Sequence, residues 1–209
     1  IVMLAWLMTV LALSVLTPLA GADDPKAAVK TPDTPAGGIL AGWLNALGTG
    51  RPEALQRFIT ENYSKDVLAR GSAQQRAAGG IRLYQINGGA PELARIESSS
   101  AHELVALARF PVTESWLRVS VEVAPEPPHT VMQWTVASHQ PPDPGNAKRL
   151  SDEEIAARAE AYLAKLVAAD LFSGSVVVAH DGKPIFCQAY GLASRAYGIP
   201  NRVDTKFNL

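Results

Sequence analysis

The chain has 209 residues, 47% hydrophobic and 19% charged, a mixture too apolar and too lightly charged for a disordered protein. Nineteen Lys and Arg against 20 Asp and Glu leave a formal net charge of −1, so the electrostatic footprint of a nucleic-acid binder is missing and no nucleic-acid partner is expected. The single cysteine, Cys187, excludes an intramolecular disulfide and a cysteine-based zinc site. His102, His129, His139 and His180 are not spaced as metal ligands, so neither a metal nor a cofactor is predicted.

From Ile1 to Leu16 the sequence is apolar apart from Thr9 and Ser14, and no charge occurs before Asp23. Pro18 interrupts the run, and Ala20-Gly21-Ala22 supplies the small residues that signal peptidase accepts. A secretory signal over 1–22, cleaved after Ala22, is therefore expected, with no stable membrane insertion afterwards and a bacterial periplasmic or secreted location. An uncleaved anchor is the rival, because an apolar run of about 20 residues can span a bilayer. A lipoprotein signal is excluded, since no cysteine follows the run. The first basic residue is Lys26, so the charged region that precedes such a run is missing, and a truncated N-terminus or a misassigned start is expected.

Residues 23–37, with three prolines, read as a linker, and a first globular unit is expected over 38–139. Ile39, Leu40, Trp43, Leu44 and Leu47 recur at helical spacing. Pro52 suits the first turn of a second helix carrying Leu55, Phe58 and Ile59. A third helix is predicted from about Ser64 to Ala78, ended by Gly79 and Gly80. Beyond Gly80 the pattern is read at period 2, predicting strands over 81–86, 92–98, 103–110, 115–123 and 130–138. The clearest sets Leu117, Val119, Val121 and Val123 against Arg118, Ser120 and Glu122, a strand with one wet face. Helices followed by a meander predict an α+β domain. Its element order is similar to the helix-plus-curved-sheet domains of nuclear transport factor 2 and of cystatins, a likeness of order without a motif.

Trp116 and Trp134 fall on predicted strands, where core packing is the expected role and lining a ligand cavity the alternative. His129 and His139, each close to a proline at a strand end, are expected to be exposed loop residues. A proline-rich stretch over 140–150 reads as a second linker. Next, Ser151 and Glu154 form a capping box for a helix running to about Leu171. Ser175 to His180 reads as a buried strand, Asp181-Gly182 as a tight turn and Lys183 to Tyr190 as the antiparallel partner.

The residues from 151 onward resemble a family. Phe172, Gly174, Val176 and Val178, then Asp181-Gly182-Lys183, Tyr190-Gly191, Ile199-Pro200, Asp204-Thr205, Phe207 and Leu209 follow in an order similar to the opening of the serine β-lactamase and penicillin-binding-protein-like hydrolases, especially the class C β-lactamase and esterase branch. The resemblance implies that 151–209 is the first helix and edge hairpin of such a domain. It implies a Ser-x-x-Lys helix soon afterwards, whose serine becomes acylated while the lysine helps to remove its proton. The substrate implied is a β-lactam, a cell-wall stem peptide or a small ester.

Within these 209 residues no lysine has a serine three positions before it, so no catalytic residue of the family can be assigned here and the chain itself is expected to be inert. Ser173 and Ser175 flank a glycine at a strand entrance and read as turn residues. Tyr190-Gly191 reads as a structural strand end, and Cys187 as a buried, inert thiol. The competing expectation from another class is a non-catalytic periplasmic protein that binds a ligand or partner on a β-lactamase-like scaffold.

Overall fold

Residues 29–140 and 149–207 are described in the computed structural model. The expected signal, the start of the first linker and most of the second lie outside them. The order is four helices, α1 (Pro35–Gly48), α2 (Pro52–Asn62), α3 (Lys65–Ala69) and α4 (Ala73–Ile86), then four strands, β1 (Glu92–Ser99), β2 (Glu103–Arg109), β3 (Trp116–Val123) and β4 (Val131–His139). After residue 150 come α5 (Asp152–Ala168), β5 (Gly174–His180), β6 (Lys183–Tyr190) and two short strands, β7 (Leu192–Ser194) and β8 (Ile199–Pro200). The class is α+β.

Helix α1 begins inside the stretch read as linker. Thr34 caps it, its hydroxyl accepting from Gly37 N at 3.1 Å, and Pro35 occupies the first turn, where its missing N–H costs nothing. The composition of 23–37 concealed that start. Pro52 opens α2 as expected.

The larger correction concerns 64–86. Instead of one helix and a strand, Ser64 caps the short α3 and Ser72 caps α4, which continues through Gly79 and Gly80 to Ile86. The reason is local. Ser72 and Gln75 form a capping box, Oγ accepting from Gln75 N at 3.2 Å and Gln75 Oε1 accepting from Ser72 N at 3.1 Å. Ala77, Gly80 and Ile81 then bury one face of the helix. Termination comes at Asn87-Gly88-Gly89, a Schellman arrangement in which Gly89 N donates to Tyr84 O at 2.9 Å and Gly88 N to Gln85 O at 3.3 Å, with Gly88 at φ +69°.

Strands β1 to β4 form one antiparallel sheet in sequential order. Val119 pairs with Ala106 on one side and Val136 on the other. As the alternation requires, Leu117, Val119, Val121 and Val123 are buried while Arg118 and Glu122 are exposed. That face receives Leu40, Trp43 and Leu47 of α1 and Leu55 and Ile59 of α2 in one apolar cluster.

Helix α5 starts at the expected capping box, Ser151 Oγ accepting from Glu154 N at 3.2 Å. It ends at Ala168, short of Leu171, because Asp170 takes a left-handed turn at φ +57° and Leu171 N folds back to Leu166 O at 2.8 Å. Hairpin β5–β6 turns on Asp181 and Gly182, both at positive φ, as a two-residue type I′ connection requires. Among the described residues of this unit, Leu163 of α5 and Phe186 of β6 are the buried apolar ones. Strand β5 is not buried as expected, for its outer face is open and Val177 is 58% exposed.

Candidate functional site

Four elements line an open-mouthed cavity of about 260 Å³ between the helices and the sheet. Trp43 arrives on α1, Tyr63 just after α2, Arg76, Gly79, Gly80 and Leu83 on α4, and Trp134 and Val136 on β4. The α4 contribution has helical logic, because 76, 79, 80 and 83 fall on one face at i, i+3, i+4 and i+7. Gly79 leaves open space that a larger residue would fill, whereas Gly80 lets α4 pack closely against Leu55 of α2. Trp134 joins its neighbours through tilted ring contacts, 5.1 Å between centroids to Trp43 and 6.1 Å to Tyr63.

Arg76 supplies the charge. Its Nε donates to Gly71 O at 2.9 Å and its Nη2 to Val67 O at 2.9 Å, which fixes the guanidinium against the α3–α4 turn. Its central carbon lies 5.9 Å from the Tyr63 ring centroid, a cation–π separation. No carboxylate of a described residue pairs with it. Burial pushes the Tyr63 phenol well above its ordinary value of 10.0, and the nearby Arg76 charge only partly opposes that. The phenol is therefore a neutral group at any physiological pH, and it makes no hydrogen bond to a described residue.

The residues singled out from the sequence are distributed as follows. Trp134 packs half-buried against the apolar core, the role expected of it, and also lines the cavity, whereas Trp116 stands half-buried at the start of β3. His129 and His139 are half-buried, contrary to the exposed reading: His129 turns back at φ +57° with Nδ1 2.9 Å from Ala124 O, and His139 closes β4. Ser173 and Ser175 work as ties. Ser173 Oγ donates to Leu192 O at 2.9 Å and accepts from Asn201 Nδ2 at 3.0 Å, while Ser175 Oγ donates to Arg202 O at 2.9 Å. No base approaches either hydroxyl among the described residues. Tyr190 ends β6, its carbonyl accepting from Asn201 Nδ2 at 2.8 Å. Cys187 is exposed, which overturns the buried reading: it lies opposite Val177 on the open face of the hairpin.

Tyr63, Arg76, Gly79 and Gly80 were not recognised as cavity residues from the sequence, and the Ser72–Gln75 capping box is the signal that could have placed three of them on one helical face. Comparison with models of protein families, with curated proteins and with solved structures yields no match to this chain.

Proposed function

We propose that residues 151–209 open a serine hydrolase domain of the β-lactamase and penicillin-binding-protein kind, preceded by an accessory α+β domain and exported to the periplasm or beyond. The parent protein cleaves an amide or ester, in a β-lactam, a cell-wall stem peptide or a small ester. The serine oxygen bonds to the acyl carbon as the scissile C–N or C–O bond breaks, and a lysine relays the serine proton to the leaving nitrogen or oxygen, which in a β-lactam stays tethered in the opened ring. Water then hydrolyses the acyl-serine.

The supporting observation is the unequal burial of the two units. Among the described residues, 21 of the 23 buried apolar ones lie between Ala36 and Val131 and two, Leu163 and Phe186, lie after residue 150. Beyond residue 150, Val177, Leu192, Tyr197, Ile199, Val203 and Phe207 are exposed. A helix laid on one face of a hairpin whose other face stays apolar and open fits one layer of a larger antiparallel sheet.

The test compares this chain with its continued reading frame. The 209-residue chain is expected to leave nitrocefin and p-nitrophenyl esters unhydrolysed. The longer product is expected to carry an acyl adduct, located by mass spectrometry, on a serine of a Ser-x-x-Lys sequence shortly after Leu209. An adduct on Ser173 or Ser175, or none on the longer protein, refutes the reading. The cavity between α4 and the sheet favours a second reading, a non-catalytic binding protein, and an unacylated longer protein is its expected result.

A further inference from the structure

We propose that the cavity beside α4 binds a small organic carboxylate with a single aromatic ring, the ring packing among Trp43, Tyr63 and Trp134 and the carboxylate meeting Arg76. This does not rest on the hydrolase reading, because every lining residue lies before residue 140.

Four observations set the class of ligand. The lining is aromatic and aliphatic apart from one guanidinium, so an apolar body is needed and a bare inorganic ion is poorly matched. The volume of about 260 Å³ lies just below the usual range of ligand pockets, about 300–1,000 Å³, and is close to nine times the roughly 30 Å³ share of a liquid water molecule. That accommodates one ring with a short acid chain and excludes a nucleotide. The side-chain polar groups carried by the lining residues are the Arg76 guanidinium, the Tyr63 hydroxyl and the indole N–H groups of Trp43 and Trp134, and no lining residue carries a carboxylate. A set so rich in donors calls for an acceptor, and its net positive charge calls for an anion.

Arg76 itself is the most telling feature. Two backbone carbonyls use its Nε and one N–H of Nη2, leaving Nη1 unengaged. The half-buried cation is thus immobilised yet lacks a carboxylate among the described residues. A ligand carboxylate completes it without reorganising the side chain, which keeps the entropic cost of binding low. A cationic ligand meets repulsion at the same point.

The experiment titrates the 209-residue chain by calorimetry with 3-phenylpropionate and, separately, with 3-phenylpropanamide, which keeps the ring and loses the charge. Saturable one-to-one binding of the acid is expected, with the amide weaker by about tenfold or more, as fits a charge-assisted pair. Gly79→Leu is expected to abolish binding without lowering the melting temperature, because Gly79 lines the cavity and a Cβ there meets nothing within 4 Å, so the larger side chain competes with the ligand for that space at no packing cost. Arg76→Met is expected to erase the preference for acid over amide. Because Arg76 also ties α4 to the carbonyls of Val67 and Gly71, its melting curve is recorded alongside, and the acid–amide comparison on the unaltered chain carries the test if that variant does not fold. No saturable binding of the acid up to about 10 mM, equal affinity for acid and amide, or full binding by Gly79→Leu each overturns the proposal.

Discussion

Gly79 and Gly80 are neighbours in the middle of α4, yet replacing each by alanine is expected to act in opposite directions. At Gly79 the added carbon meets nothing within 4 Å, so the substitution only removes a glycine from a helix interior, a gain of about 1 kcal/mol. At Gly80 the same carbon falls 2.5 Å from Leu55 Cδ2 and 3.8 Å from Leu47 Cδ1, both on fully buried side chains. Relief requires Leu55 to leave its rotamer or α2 to back away from α4, and overpacking of this kind costs about 1–3 kcal/mol. Subtracting the helical gain of about 1 kcal/mol leaves a net loss of about 0–2 kcal/mol. The two variants therefore differ by about 1–3 kcal/mol. In a unit of about 100 residues each kcal/mol moves the midpoint by about 4–8 °C, so the melting temperatures should separate by at least about 4 °C. Thermal melts followed by tryptophan fluorescence and circular dichroism measure this directly. Equal stabilisation by both substitutions refutes the close approach of α4 to α2 at Gly80. Destabilisation by Gly79→Ala refutes the helix through that position.

Val121→Asp should unfold the domain, because an unpartnered buried charge costs about 3–5 kcal/mol, whereas Ser120→Asp on the half-buried neighbour should be tolerated; equal loss of circular dichroism in both contradicts the strand's orientation. Glu114 lies 2.7 Å from Lys165 and 3.3 Å from Arg109, and the hydrogen bond from Lys165 chiefly holds its carboxyl below the ordinary 4.5. A depressed folded value means that its contribution is fully present above pH 4.5 and is lost as pH falls through the folded value. Docking of α5 on the β2–β3 turn should therefore loosen in acid, modestly because both partners are exposed, and Glu114→Gln should remove that pH dependence in hydrogen exchange of α5. Cys187 should react with a thiol reagent in the native chain at the rate of an accessible cysteine, and strong protection would contradict its place on the open face.

Where one signal governed a segment, the sequence was legible. Strand β3 has an uninterrupted two-residue period, the Asp181-Gly182 turn needs two residues at positive φ, and Ser151 with Glu154 marks a helix start. Misreadings arose where two signals competed. Gly79-Gly80 resembles a helix terminator, but tertiary packing against Leu55 requires a small residue there, and the terminator is the next glycine pair, Gly88-Gly89. Ile81 and Leu83 fit a period of 2, whereas Ala77, Gly80 and Ile81 fit one of 3.6, and the Ser72 cap decides between them. The cavity was less legible still. Trp43, Tyr63 and Trp134 are far apart in the chain, and their meeting depends on how α1 and the end of α2 lie over β4, which periodicity does not encode.

The same inequality of burial predicts how the chain divides when cut within 141–148. Helices α1 to α4 and the sheet share one apolar cluster running from Ala36 to Val131, and about 100 residues suffice for an independent core. Residues 29–140 should therefore melt cooperatively as a monomer, with Trp43 and Trp134 in contact as in the longer chain. The remainder has one helix, one hairpin and a two-strand ladder, with Leu163 and Phe186 as its buried apolar residues. A helix and a hairpin of that size fall short of the apolar burial that offsets their conformational entropy. Bidentate pairing of Arg195 with Asp170, at 2.9 and 2.6 Å, does not change this, for both side chains are largely exposed. Residues 149–209 alone should lack a cooperative transition and self-associate through the open edge of β5, where Val177 stands outward. A sharp, concentration-independent melt of that fragment as a monomer would show that its core is sufficient, and would remove the physical support for reading it as one layer of a larger sheet.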